Sequence, residues 1–353
     1  MAFPKVSVIF KGIAANTIKR GDRGIVALIL KDTTKNGTFY IESVADVKGF
    51  TTDNAKYIKE AFIGGQKAPK KVVVVSLANS ALNYDDGLKA LETIDFDYLA
   101  IPGIEAQHVE GIATWIKSQR DEKRRKVKAV LPKHVGDHEG IINFDTDNIV
   151  VAGKKVTASK FTGRIAGILA GTPMNSSCTF FVLPDVQDVP AMTDEEKDAA
   201  IEAGKLIIVN DGRKCKIARG VNSLTSTSEE KPDQFKKIKL IDIVDLIHED
   251  IKYAVEDSYI GKVTNSYDNT CLLISAINGY FEELEGQNLL ASGQNHCEYD
   301  VESKVAYLKS INTFVEGMSE LEVKEANSGD KVFLKASIRP LDVMEDVSIV
   351  ISI

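Results

Sequence analysis

The chain of 353 residues contains no window approaching the roughly 20 apolar residues that span a bilayer, so membrane insertion is not expected. Its start, Met1-Ala2-Phe3-Pro4-Lys5, leads into alternating residues rather than a continuous apolar stretch, and predicts no secretory signal. Cysteine is sparse. The four present, Cys178, Cys215, Cys271 and Cys297, are far apart and form no Cys-x-x-Cys pair, which speaks against a metal knuckle or redox dithiol and fits reduced thiols in a cytoplasm. Positive charge is not in excess: 44 basic against 51 acidic residues leave a net charge of −7, which argues against nucleic acid as the main partner. The phosphate-binding patterns G-x-G-x-x-G and G-x4-G-K-[ST] are missing, and so is the nucleophile elbow G-x-S-x-G. Repeats and low-complexity tracts are also lacking, and residues 223–232 (SLTSTSEEKP) are the one polar, loop-like stretch.

What is present is a 44% hydrophobic content, enough to fill two domains. Both ends read as strands: Val6, Ser7, Val8, Ile9 and Phe10 near the start, and Val347, Ser348, Ile349, Val350, Ile351, Ser352 and Ile353 at the close. In the second, Val347, Ile349, Ile351 and Ile353 share one face with no charge or proline to blunt it, and an unguarded edge of this kind calls for a pairing partner.

Lys19 to Gly24 is a Gly-punctuated connection. Beyond it, residues 25–30 and 38–43 flank Lys35-Asn36-Gly37 and predict a hairpin, since Asn-Gly takes the positive φ of a tight turn. Helices are expected near 53–63, 84–94 and 106–122, each followed by a short apolar strand at 72–75, 98–101 and 127–131; this alternation is that of a parallel sheet covered on both faces. From about 205 a hairpin turning at Asn210-Asp211-Gly212 precedes two long helices, about 235–257 and 269–285. Their apolar stripes (Ile243, Ile247, Ile251, Val255; Leu273, Ile277, Phe281, Leu284) require a sheet drawn from 295–302, 331–338 and the terminal strand. In 331–338, Val332, Leu334, Ala336 and Ile338 alternate as one apolar face.

Candidate chemistry is thin. His134-x3-His138-Glu139 places two imidazoles at metal-ligand spacing only if they share a helix, and Pro132, Gly136 and Gly140 favour a hydrogen-bonding loop. The basic run 123–128 ends a helix and reads as a solvated terminus. Gly163-x3-Gly167-x3-Gly171 predicts close helix packing. Gly171-Thr172-Pro173-Met174 resembles the Gly-Thr-Ser-Met motif around the nucleophile of subtilisin-like proteases, but Pro173 stands where the serine would be and has no hydroxyl. No catalytic, cofactor or metal residue is assigned.

Over nearly its whole length the chain resembles the short tail sheath proteins of contractile phage tails and phage-tail-like bacteriocins. The resemblance is carried by Arg219-Gly220-Val221-Asn222-Ser223-Leu224, Phe235-Lys236-Lys237-Ile238, Tyr259-Ile260-Gly261-Lys262-Val263, Asn265-Ser266-Tyr267-Asp268-Asn269, Ile277-x2-Tyr280-Phe281, Val332 to Ile338, and Asp342-x2-Glu345-Asp346. It implies an α/β plus α+β fold: an inactive, subtilisin-like α/β domain (21–204) inserted into an α+β assembly domain made of 1–20 and 205–353, with arms at residues 1 to about 15 and about 343–353. It also implies a homo-oligomeric helical sheath around an inner tube protein, in contact with baseplate and terminator proteins. Such a particle is assembled in the bacterial host cytoplasm and needs no cofactor. The arms would join neighbouring copies, and Lys236, Lys237, Lys239 or Lys262 would face the tube. The competing readings are an α/β hydrolase or nucleotide-binding enzyme, and a subunit of another tubular assembly.

Overall fold

The computed structural model describes residue 18 and residues 23–352. The expected arm positions Val6, Ser7, Val8, Ile9, Phe10 and Ile353 lie outside the described residues. Contacts divide the described chain into two compact units, one holding residues 247–341 and the other residues 23–246 together with 342–352. The division falls inside a helix, between Leu246 and Ile247, rather than at 204/205.

In the larger unit β1 (Ile25–Asp32), β2 (Gly37–Ile41), α1 (Thr52–Ile63), β3 (Lys71–Ala78), α2 (Asp85–Leu91), β4 (Tyr98–Ala100), α3 (Ala106–Asp121), β5 (Lys128–Pro132) and β6 (Ile141–Phe144) follow one another. After the small hairpin β7 (Ile149–Val151) and β8 (Lys154–Val156) come α4 (Ala158–Ala170), α5 (Asp194–Glu202), β9 (Lys205–Leu206), and the hairpin β10 (Ile208–Asn210) and β11 (Cys215–Ile217). Seven strands form one sheet in the order β2-β3-β1-β4-β5-β6-β9, parallel except for β2. β9 joins this sheet beside β6, which is why the chain just past 204 stays with the α/β unit.

The expected hairpin of 25–30 with 38–43 does not form: β2 pairs antiparallel with β3, and β1 lies between β3 and β4. Val26, Ala27, Leu28 and Ile29 are fully buried, and a strand apolar on both faces gains most in the sheet centre. Asp32 then turns the chain outward, accepting hydrogen bonds from the Thr34 N–H (2.7 Å), Thr51 N–H (3.0 Å) and Asn54 Nδ2 (2.7 Å). The strand face with Val26, Leu28, Val72 and Val74 packs with residues of α1 and α4; that with Ala27, Ile29, Val73 and Val75 packs with residues of α2 and α3.

The glycine run in α4 serves close approach, as expected. A Cβ on Gly167 would lie 2.1 Å from the Ala61 carbonyl oxygen of α1. Gly111, in contrast, sits exposed in α3, where an added methyl meets nothing within 4 Å. Gly111→Ala should therefore stabilise by about 0.5–1 kcal/mol through helix propensity alone, read as a higher urea midpoint at unchanged slope.

α6 (Ile238–Ser258) continues into the smaller unit, which holds α7 (Tyr267–Gly286), β12 (His296–Tyr299), α8 (Val301–Ser310), α9 (Glu320–Glu325) and β13 (Leu334–Ser337). α7 buries Leu273, Ile277, Tyr280, Phe281 and Leu284. The Tyr280 hydroxyl donates to Asp250 (2.7 Å), and Asn278 bonds both the N–H and the carbonyl of Cys297 in β12. β12 and β13 form a two-stranded antiparallel sheet. The terminal segment does not join it: residues 347–352 form no strand, and Val332 of the expected apolar face is 45% exposed.

Candidate functional site

Each sequence-level candidate for chemistry is answered by its surroundings. Asp121, His138 and Glu139 bring ligand atoms within 4.8 Å of one another, without His134. His138 Nδ1, however, accepts the Gly140 N–H (2.9 Å), so the ring proton is on Nε2, facing Asp121 at 3.2 Å. To bind a metal, Nε2 would have to lose its proton while Nδ1 gains none. Glu139 is already engaged by Lys231 (2.9 Å) and approached by Arg120 (3.7 Å). The ring holds a loop, as its glycine-rich setting predicts.

The basic run is less solvated than expected. Arg125 donates to the Ile94 carbonyl (2.8 Å), and Lys128 is 1% exposed, bonded to Asp245 at 2.7 Å. Thr172 and Pro173 follow the C-terminal end of α4, where a helix offers carbonyls rather than the N–H groups that stabilise an oxyanion. Burial pushes the nearby Cys178 thiol up to about 12, so it carries no thiolate at neutral pH. The strand order reverses at β1, where open parallel sheets bind ligands beyond their strand ends; that position holds the Asp32 carboxylate, satisfied by its own chain.

A different cluster draws together three of the quoted sequence segments. Residues 219–222 and 235–238 lie side by side: Asn222 N–H donates to the Lys236 carbonyl (2.9 Å), Ile238 N–H to the Gly220 carbonyl (3.0 Å), and Asn222 Nδ2 to the Phe235 carbonyl (2.6 Å). Gly220 also lets this segment lie close against residues 177–179, since a Cβ there would lie 2.8 Å from Cys178 Sγ. The arrangement sets Arg219, Lys237 and Thr179 around Glu345. The Glu345 side chain is 6% exposed; it accepts from Thr179 Oγ1 (2.5 Å), Arg219 Nε (3.1 Å) and Lys237 Nζ (3.1 Å). Lys237 also pairs with Asp342, and Arg219 with Asp346. Burial pushes the Glu345 carboxyl up, but the bonds from Thr179, Lys237 and Arg219 outweigh it and hold it below the ordinary carboxylate value. Burial likewise lowers Lys237, and its carboxylate partners more than reverse this. The signal was in the sequence as complementary charge: Arg219 and Lys237 in two of the quoted segments, three carboxylates in another.

Beyond this cluster the chain carries exposed apolar side chains: Val347 (71%), Ile349 (75%), Val350 (90%) and Ile351 (80%), with Ser348 and Ser352 also exposed. The four lysines expected at a tube are not equivalent. Lys237 belongs to the Glu345 cluster, Lys239 is 6% exposed, Lys236 pairs with Asp233 (2.8 Å), and Lys262 is exposed with its ammonium on the Asp257 carbonyl. No helix among the described residues is long and apolar enough to cross a membrane.

Comparison with known proteins agrees with this picture. Residues 78–223 match the phage tail sheath protein central domain, and residues 230–353 the phage tail sheath C-terminal domain. The tail sheath protein of Clostridium phage phiCD119 is 40% identical over 98% of this chain and 97% of its own length. Among solved structures, the sheath tail protein of Desulfitobacterium hafniense superposes with a TM-score of 0.73 at 20% identity, covering 84% of this chain and 94% of that one. The contracted helical sheath of the anti-feeding prophage gives 0.72 at 15% identity, covering 100% of this chain and 99% of that one. The chain belongs to the phage tail sheath protein family and is a structural subunit of a tail sheath.

Proposed function

We propose that copies of this chain are joined by their terminal segments, residues 1–15 and 343–353, each adding a strand to a sheet of a neighbouring copy. The observation that carries this is the row of four exposed β-branched side chains from Val347 to Ile351 in a segment without strand pairing of its own. The sheet of β12 and β13 adds support: two strands are marginal alone, and its apolar face is left half uncovered. Main-chain ladders give such a link strength, and alternating side chains give it register. Each buried Val or Ile contributes about 1.5–3 kcal/mol before ordering costs, so one arm can outlast the rearrangement of weaker surfaces.

Head-to-tail copies then build an open helical sleeve around an inner tube, bounded by baseplate and terminator and assembled in the host cytoplasm. On contraction the bodies repack while the strand links hold, and the tube is driven through an envelope. The energy is conformational. The α/β unit serves as an inert, subtilisin-like scaffold, with Pro173 in place of a nucleophile. Lys236 and Lys262, neither buried nor part of the Glu345 cluster, are the stronger candidates for contact with the tube. Deleting residues 347–353 should leave a folded, soluble body that fails to polymerise. Striated cylinders of ordinary length from that truncation, seen by negative-stain microscopy, would refute the arm reading.

A further inference from the structure

The geometry points to Glu345 as the residue that positions the C-terminal arm for assembly: by locking residues 342–346 onto Thr179, Arg219 and Lys237, it leaves only the chain from residue 347 onward free to pair. The inference rests on the arm reading above and adds to it a defined anchor point. A strand entering another copy's sheet must arrive in register, since a slip of one residue turns every side chain to the wrong face. Freeing residues 342–346 would add roughly 17 Å of extended chain, at about 3.3 Å per residue, to the arm's range of starting points. Slack of that kind lowers the effective concentration of the arm at its target.

Among the three carboxylates, burial singles out Glu345. Asp346 has an 85% exposed side chain, so its pair with Arg219 is screened by solvent. Asp342 is 33% exposed and contacts one of the two cations. Glu345, at 6%, bonds both cations and a hydroxyl, and removing it leaves Arg219 and Lys237 without their shared buried partner. The anchor side is built from within the α/β unit: the Gly220 N–H donates to the same Thr179 Oγ1 that donates to Glu345 (2.9 Å), so the hydroxyl is oriented before the arm root docks.

The test uses the full chain with Cys271→Ser and, for the mobility measurement, a nitroxide on Met344→Cys, a position 94% exposed within the anchored segment and outside the pairing row, while cylinder yield is read on unlabelled chains; Cys178, Cys215 and Cys297 are buried. In the parent the label should report restricted motion. Glu345→Gln and Glu345→Ala should release it to the mobility of a free tail and reduce the yield of cylinders about tenfold or more, as a loss of effective concentration predicts. Asp346→Ala should change neither. Lys237→Met serves as a second route to the same loss, and far-UV circular dichroism confirms that each body remains folded. Unchanged label mobility in Glu345→Ala overturns the anchor, and freed mobility with undiminished cylinders overturns its role in assembly. Failure of the arm reading shows separately, as cylinders from the chain lacking 347–353, whose residues 342–346 are intact.

Discussion

Asp245→Ala is expected to cost about 3–5 kcal/mol, the range for removing one partner of a buried ion pair, out of a total stability of about 5–15 kcal/mol for a domain. Asp245 lies in the third turn of α6 at 1% exposure and accepts two bonds from Arg120 (2.9 Å each) and one from Lys128 Nζ (2.7 Å). Both cations are themselves buried. Without the carboxylate, Lys128 keeps Asp242 at 3.0 Å, while Arg120 keeps the Val127 carbonyl at 3.3 Å and the Glu139 carboxylate at 3.7 Å. Burial pushes the Asp245 carboxyl up, yet Arg120 and Lys128 more than reverse this and hold it well below the usual range. A carboxyl depressed in the folded state contributes its full stabilisation above the unfolded value of about 3.9 and loses it as pH falls further. The difference between parent and Asp245→Ala should therefore be constant near neutrality and shrink in acid. Urea unfolding measures it; a loss under about 1 kcal/mol at pH 7, the level of an exposed pair, would show that the network is worth no more than a surface contact.

The second large effect is steric. Gly167→Ala places a Cβ 2.1 Å from the Ala61 carbonyl oxygen and 2.8 Å from its carbon. Backbone on both sides leaves no side chain to rotate away, so α1 and α4 must separate, at the upper end of the roughly 1–3 kcal/mol of overpacked sites. Gly163→Ala is the contrast, because its nearest neighbour is the Pro102 side chain at 3.1 Å. The two thermal midpoints should differ clearly, with Gly167→Ala the lower. Equal midpoints would mean that the helix pair yields without cost.

Much of the α/β unit was legible because its strands are short apolar runs and its helices amphipathic: the expected helices near 53–63, 84–94 and 106–122 correspond to α1, α2 and α3. The expected hairpin at 25–43 was misread because Asn36-Gly37 marks a turn but does not say which strand the returning segment joins. Lys128 was misread for a related reason. A charge run looks solvated in sequence, whereas its partner Asp245 is 117 residues away.

The sequence by itself determined the parallel α/β layer, the two long helices, the lack of a nucleophile at Pro173, and the row of β-branched side chains from Val347 onward, since periodicity and side-chain chemistry are local properties. Only the tertiary structure decided where β1 and β2 pair, that Asp121 and Glu139 rather than His134 surround His138, and that Arg219, Lys237 and Glu345 meet. Those outcomes depend on which distant groups burial brings together, and a buried charge is stable only where its partner arrives with it.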